Sequence, residues 1–346
     1  MYAGSRTFIL STAAFALTCA AAPARAQHDH GASKPTPGPA APVAERYFCP
    51  MHCEGTKVYD KPGKCPVCKM NLKKQTSDLY TVAVREVSAD GGAAITAGKA
   101  ASLVFKIKNP TGLQITKVET VHEKPLHLLI VSKDLSWFRH EHPAMQQDGT
   151  FTLNFTFAHG GEYTLYHDFT PLPDGGAKEG PGQQIVPVAV TVEGTPAAPV
   201  PVKLVEDSSA PKAIDGYTVA LTTGEGGGGE GVVKSGGSAT LTFTIGKDGT
   251  PVTTLAPYLG AMGHLVVLSA DGKEFVHSHP KEGHDDHAMT SGGPTVAFEA
   301  HFKKPGLYKA WGQFNVGSKD KETILTAPFV FKVEAGEPTH EHHDHK

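Results

Sequence analysis

Between residues 47 and 72 the chain sets Cys49, Met51, His52 and Cys53 in one group and Cys65, Cys68 and Met70 in another. Thiolate, thioether and imidazole are soft to borderline donors, the kind that hold Cu(I), Zn(II) and related ions. In Cys65-Pro66-Val67-Cys68 the proline presets φ and the two-residue gap closes a tight loop, so two sulfurs face one point. Lys61-Pro62-Gly63-Lys64 is turn chemistry that brings the second group back towards the first. A second donor set lies farther on. His127, His140 and His142, followed by Pro143, recur as His264, His277 and His279, followed by Pro280, each 137 positions later (264 minus 127, 277 minus 140, 279 minus 142). Surface histidines scattered at random would not keep that register.

The elements that must position these side chains are strands. Alternating segments at 80–87, 103–107, 151–157 and 185–192, separated by Gly, Pro, Asn and Asp, predict an antiparallel all-β unit. Tyr80-Thr81-Val82-Ala83 comes again as Tyr217-Thr218-Val219-Ala220, Phe105-Lys106-Ile107 as Phe243-Thr244-Ile245, and Phe157 with Tyr163 as Phe302 with Tyr308, so the sequence predicts two copies of one domain. The expected fold is mostly β: a small Cys/His/Met knuckle, then two antiparallel β-sandwich domains of immunoglobulin or cupredoxin type. In the second copy Asp271-Gly272 is a two-residue hairpin signal, and pairing outward from it sets His264 opposite His279, with His277 on the same face. Opposed Cβ atoms lie about 4.5–5.5 Å apart, close enough for two imidazoles to share an ion. Met262 falls on that face as a soft fourth donor. The first copy has Asp134-Leu135 at its turn, where leucine disfavours the positive φ required. Histidines that belong to half-exposed strands and bond only to neighbours are the alternative for both copies. His122, His159, His167 and His301 stand outside the recurring set and read as ordinary surface or core-edge residues; Gly312 aligns with His167.

The 47–72 stretch resembles the small heavy-metal-binding domain found beside copper-transporting P-type ATPases and in adaptor proteins of metal efflux pumps. That family's pattern runs Y-x-C-P-M-H-P-E and then P-G-x-C-P-x-C-G-M-x-L. Tyr47, Cys49, Pro50, Met51, His52, Glu54, Pro62, Gly63, Cys65, Pro66, Cys68, Met70 and Leu72 match it. Cys53 replaces the usual proline and Lys69 the usual glycine, so an extra thiolate alters the ligand set that the resemblance implies. It also implies a partner, an efflux pump or P-type ATPase component.

Residues 1–26 have the form of a cleaved secretory signal: Arg6, an apolar run, and Ala24-Arg25-Ala26 before Gln27. Export to the periplasm or beyond is the expectation, and the mature chain has no apolar run long enough to span a membrane. Residues 27–45 form a Pro/Ala-rich tether, 46–74 the knuckle, 78–196 and 213–335 the two copies joined by a 197–212 linker, and 336–346 a tail rich in histidine. The 281–291 loop adds His284 and His287. A chain of 346 residues holds several modules, and 32 basic against 35 acidic residues leave no basic patch, which excludes nucleic acid as a partner. With Cys19 in the leader, four cysteines remain, an even count that also fits two disulfides; the interleaved Met51, His52 and Met70, which disulfides do not need, favour metal.

Together these features predict an exported protein that binds metal ions, copper first and zinc or another transition metal second. It would sequester the ion in the cell envelope or hand it on. No phosphate loop or nucleophile elbow points to an enzyme, and both predicted sandwiches lack the cysteine of a blue-copper site. A metal-dependent oxidoreductase using a His-x-His strand, and a scaffold or adhesion sandwich with incidental histidines, are the alternatives.

Overall fold

The computed structural model describes residues 46–49, 57–74, 79–87, 94–172, 181–196, 203–225, 231–280 and 292–336. The chain divides into two units, Met1–Ala44 and Glu45–Lys346. The first unit lies outside the described residues, as do the expected leader and tether, the 281–291 loop and the tail from 337. Every regular element among the described residues is a β-strand, and no helix there is long and apolar enough to cross a membrane.

Three two-residue strands, β1 (Tyr47–Phe48), β2 (Val58–Tyr59) and β3 (Lys73–Lys74), form a sheet of order β2-β1-β3 around the cysteines. The first half then runs β4 (Thr81–Val87), β5 (Ala100–Lys108), β6 (His127–Ser132), β7 (Phe138–Glu141), β8 (Ala144–Met145), β9 (Phe151–Thr156), β10 (Gly161–Phe169) and β11 (Gln184–Val192). The second half runs β12 (Lys212–Ile214), β13 (Tyr217–Glu225), β14 (Val233–Lys234), β15 (Ser238–Lys247), β16 (Thr250–Pro251), β17 (His264–Ser269), β18 (Phe275–Ser278), β19 (Thr295–His301), β20 (Gly306–Asn315) and β21 (Ile324–Glu334). Each half holds two sheets: β4-β5-β9-β8 and β11-β10-β6-β7 in the first, β12-β13-β15-β16 with β19 beside β15 and β14-β21-β20-β17-β18 in the second. Among the described residues all the pairings between these strands are antiparallel except the short β14–β21 contact.

Period-two patterning puts one face of each strand inside. In β5 Ala101, Leu103, Phe105 and Ile107 are buried while Lys106 and Lys108 face water. In the first half they pack on Leu128, Ile130, Leu165 and Phe169 of the facing sheet. In the second half Leu241 and Phe243 meet Leu265, Val267, Ala310 and Phe329 in the same way. Each such buried side chain contributes about 1.5–3 kcal/mol relative to exposure.

Strands β6 and β17 are different, because they are buried on both faces and read as continuous apolar runs, HLLIVS and HLVVLS. Their alternate residues Leu129, Val131, Val266 and Leu268 join Leu135, Phe138, Tyr166 and Trp311 in a third core that holds the two halves together. Phe138 stacks on Trp311 with centroids 4.8 Å apart, and Phe275 on Tyr166 at 5.3 Å. His127 and His264 lie in step with the residues of this third core, so the fold turns them towards the junction.

Both hairpins close alike. Leu135 N–H donates to the Ser132 carbonyl and Gly272 N–H to that of Ser269, each at 2.8 Å. Gly272 has φ 68° and Leu135, against expectation, adopts φ 57°. The strain is offset by burying the leucine side chain, 3% exposed, in the third core. Carbonyls of both left-handed residues are then capped by the other half: Lys309 Nζ donates to Leu135 O at 2.7 Å and the Tyr166 hydroxyl to Gly272 O at 2.8 Å.

Candidate metal centres

The knuckle brings three sulfurs to one point. Cys49 Sγ is 3.5 Å from Cys68 Sγ, and with Cys65 the three ligand atoms lie within 4.8 Å of one another. Cys65 is fully buried, and none of the three is in a disulfide. The loop from Cys65 to Met70 is shaped by backbone bonds: Cys65 N–H to Met70 O, and Lys69 N–H to Cys65 O, both 2.9 Å. Lys69 sits at φ 63°, the left-handed conformation that the usual glycine of this motif adopts freely, and its Nζ caps Pro66 O at 2.7 Å. Met70 is exposed. Met51, His52 and Cys53 lie outside the described residues.

The strand histidines occupy a single centre at the junction of the halves. Hairpin register, with Leu128 opposite Glu141 and Leu265 opposite Ser278, runs on to bring His127 level with His142 and His264 level with His279. Ring centroids are 5.0 Å apart in the first pair and 4.6 Å in the second. Across the junction His277 is 5.3 Å from His127 and 5.6 Å from His140. Two triads have ligand atoms within 4.8 Å of one another: His127, His140 and His277, and His264, His277 and His279. Met262, read from the sequence as a soft fourth donor, packs against the apolar core of the second half.

Outer nitrogens of four of these rings are anchored, and the three anchors that can only accept set the tautomers of His127, His264 and His277. His127 Nε2 donates to Val121 O at 3.0 Å, and His264 Nε2 to Tyr258 O at 2.9 Å. His277 Nδ1 donates to Asp168 Oδ2 at 2.7 Å, and His140 Nδ1 faces Gln313 Oε1 at 2.8 Å. The anchors are reciprocal, since Val121 precedes Tyr258 by the same 137 positions and each middle histidine is held from the other half (258 minus 121). The inner nitrogens are left bare. His142 Nε2, His264 Nδ1, His277 Nε2 and His279 Nε2 are buried without a partner. His127 Nδ1 and His140 Nε2 lie 3.0 Å apart, two lone pairs face to face unless a cation joins them or the Gln313 amide turns over and lets His140 donate. Buried unpaired acceptors each cost about 1–3 kcal/mol, so the centre is a reservoir that a cation relieves.

The electrostatics favour neutral, ligating imidazoles. Burial, then the nearby His277, lowers His127 to about 4, and burial, then His127, lowers His142 to about 3. His140, His264 and His279 are also pushed down, first by burial and then by neighbouring histidines. Three contributors escaped the sequence reading. His122 stacks on His279 with centroids 3.4 Å apart, and Asp168 and Gln313 are the anchors. Asp168 to Gln313 is the same 145-residue step as Tyr163 to Tyr308 (313 minus 168, 308 minus 163), the one signal that pairs them. A cavity of about 210 Å³ reaches the centre past Glu119, His122, Lys124, His277 and His279. His167 does not join the centre; it is fully buried, bonds Val186 O at 3.0 Å and lies edge-on to Phe105. Its counterpart Gly312 has no such room, because a Cβ there would stand 2.7 Å from Phe243.

Residues 80–179 and 212–335 match the profile described as Domain of unknown function (DUF8832), and residues 46–75 match the Heavy metal binding domain. No curated protein is similar to the chain. Among solved structures, a Corynebacterium diphtheriae protein described as membrane anchored is 11% identical over 75% of this chain and 60% of its own, with a TM-score of 0.21. Domains 4 and 5 of the S-layer protein SbsC are 13% identical over 74% of this chain and 100% of theirs, at 0.20. Trypsin-activated alpha-2-macroglobulin from Escherichia coli is 7% identical over 72% of this chain and 15% of its own, also at 0.20. Likeness this weak carries no structural or functional argument.

Proposed function

The chain belongs to the family defined by the domain of unknown function DUF8832, and on that premise we propose that it is a metal-binding protein that takes up copper, or secondarily zinc, in the cell envelope and buffers it or hands it to an efflux partner. The observation that carries this reading is the pair of chemically distinct donor sets. Three thiols converge in the knuckle, and buried, unpartnered imidazole nitrogens converge at the junction. Sulfur suits Cu(I) and Zn(II), whereas neutral imidazole suits Cu(II) and Zn(II), so one chain offers ligands for either oxidation state of copper. Thiols lose protons on binding, so uptake at the knuckle releases protons. Export, supported by the sequence of residues 1–26, would place both sets where incoming metal is met first.

The test is metal analysis of reduced protein from an envelope fraction beside a Cys49, Cys65, Cys68 triple serine variant and a His277→Gln variant. Each variant is expected to lose part of the bound metal, and equal content in all three would overturn the reading. Superoxide consumption by loaded protein well above that of free metal would replace sequestration with catalysis.

A further inference from the structure

The two histidine triads overlap in one residue, His277. Its Nδ1–H is committed to Asp168, which is itself held by Gln183 Nε2 at 2.8 and 2.9 Å. Only Nε2 faces the centre, and that nitrogen is buried without a partner. An sp² ring nitrogen has one lone pair, so His277 serves one ion at a time. Surroundings of the two triads differ. His277 borders the cavity that reaches the centre, together with His279 of one triad, on which His122 stacks, and His127 of the other, whereas His264 and His140 do not border it and His140 is fastened to Gln313. Asp168 can only accept, which holds His277 permanently in the ligating tautomer. Gln313 can present either end of its amide, so His140 has two tautomers open to it and becomes a ligand in one of them.

We infer that the centre is a two-station relay for a single transition-metal ion. One station is His264, His277 and His279, the other is His127, His140 and His277, and the lone pair of His277 is the pivot between them. Both stations open on the cavity, one through His279 and the other through His127. The ion passes to the station that contains His140 as His140 takes the ligating tautomer against Gln313, and back by the reverse path. This inference rests on the metal-binding reading above and adds to it a stoichiometry and a shared pivot.

The experiment uses the full chain carrying Cys49→Ser, Cys65→Ser and Cys68→Ser, titrated with Cu(II) and followed by electron paramagnetic resonance and stopped-flow absorbance. The expected result is a mononuclear Cu(II) signal that His277→Gln abolishes. His279→Gln and His140→Gln each leave one triad whole, and each is expected to keep a mononuclear signal at reduced affinity. Asp168→Asn, which preserves the ring and the fold, is expected to lower affinity by about 10–100-fold at both stations; should His277→Gln fail to fold, this variant decides, and unchanged affinity overturns the pivot. A spin-coupled copper pair that depends on His277 would overturn the relay and leave metal binding standing. Loss of binding in either His140→Gln or His279→Gln as complete as in His277→Gln would reduce the two stations to one site. If the parent and His277→Gln bind alike, the histidine centre itself falls, while the knuckle is judged separately on its cysteines.

Discussion

Replacing Asp168 with alanine tests the centre through a residue that touches no ion. Asp168 is 4% exposed and accepts His277 Nδ1–H at 2.7 Å, and the His277 side chain is 2% exposed, so the bond is shielded from bulk water. A hydrogen bond to a charged group contributes about 1.5–3 kcal/mol, and a stranded buried donor costs about 1–3 kcal/mol. Gln183 is exposed and recovers its hydrogen bond from solvent. In the metal-free chain His277 can move its proton to the otherwise unpartnered Nε2, which softens the loss to about 2 kcal/mol. In the loaded chain that escape is closed, because the ion needs Nε2 bare, and affinity should fall by about 10–100-fold, or about 1.4–2.8 kcal/mol. Urea unfolding with chelator present and competition titration with Cu(II) or Zn(II) separate the two effects, and Asp168→Asn, which keeps an acceptor, should lose less stability while its affinity falls within the same range. A variant with unchanged affinity and stability within about 0.5 kcal/mol of the parent would refute the anchoring role.

Trp311→Ala empties a third-core position stacked on Phe138 and should cost about 3–5 kcal/mol in unfolding free energy, with the histidine centre losing metal as the halves loosen. Cys65→Ser removes the fully buried thiol and should abolish metal uptake by the knuckle while denaturation of the 79–336 region is unchanged; a shared transition midpoint shift would contradict it. His167, held near 4 by burial, binds fewer protons folded than unfolded between that value and 6.5. Its contribution is therefore intact above 6.5 and lost as pH falls to about 4, at about 1.4 kcal/mol per unit. His167→Leu should flatten the pH dependence of unfolding, measured with chelator, by about one proton's worth; an unchanged slope would show the histidine to be protonated when folded.

The strands were legible because Ala101, Leu103, Phe105 and Ile107 alternate with polar residues, and the 137-residue step of the histidines survives into the register that pairs His264 with His279. The convergence of both histidine sets on one centre was not legible, because it depends on the outer faces of β6 and β17 meeting. Those strands announced this only as apolar runs, HLLIVS and HLVVLS, which fit burial on two faces without naming the second partner. His122 was missed because it belongs to no strand and its counterpart, 137 positions on, is Leu259; both adopt positive φ, 46° and 51°, and so share a backbone shape without a side-chain signal. Met262 lies two residues before β17 begins at His264, so strand alternation does not by itself set its side chain.

Leu135 shows why side-chain burial, rather than turn chemistry, fixes the first hairpin. A leucine at φ 57° costs about 1–2 kcal/mol relative to glycine. Its side chain, buried among Leu129, Val131 and Phe138, returns about 1.5–3 kcal/mol, so the two effects nearly cancel and the hairpin keeps the shape of its Gly272 counterpart. What tips the balance is the other half of the chain, which supplies Trp311 to that core and Lys309 to the Leu135 carbonyl. The first hairpin thus depends on the junction, and so does the position of His140, five residues beyond Leu135. Leu135→Gly relieves the backbone and empties the core. Burial outweighing strain, it should destabilise the metal-free chain by about 1 kcal/mol and weaken the triad that contains His140 more than the one that contains His264 and His279. Equal weakening of both triads would mean that the hairpin positions His140 without help from the junction.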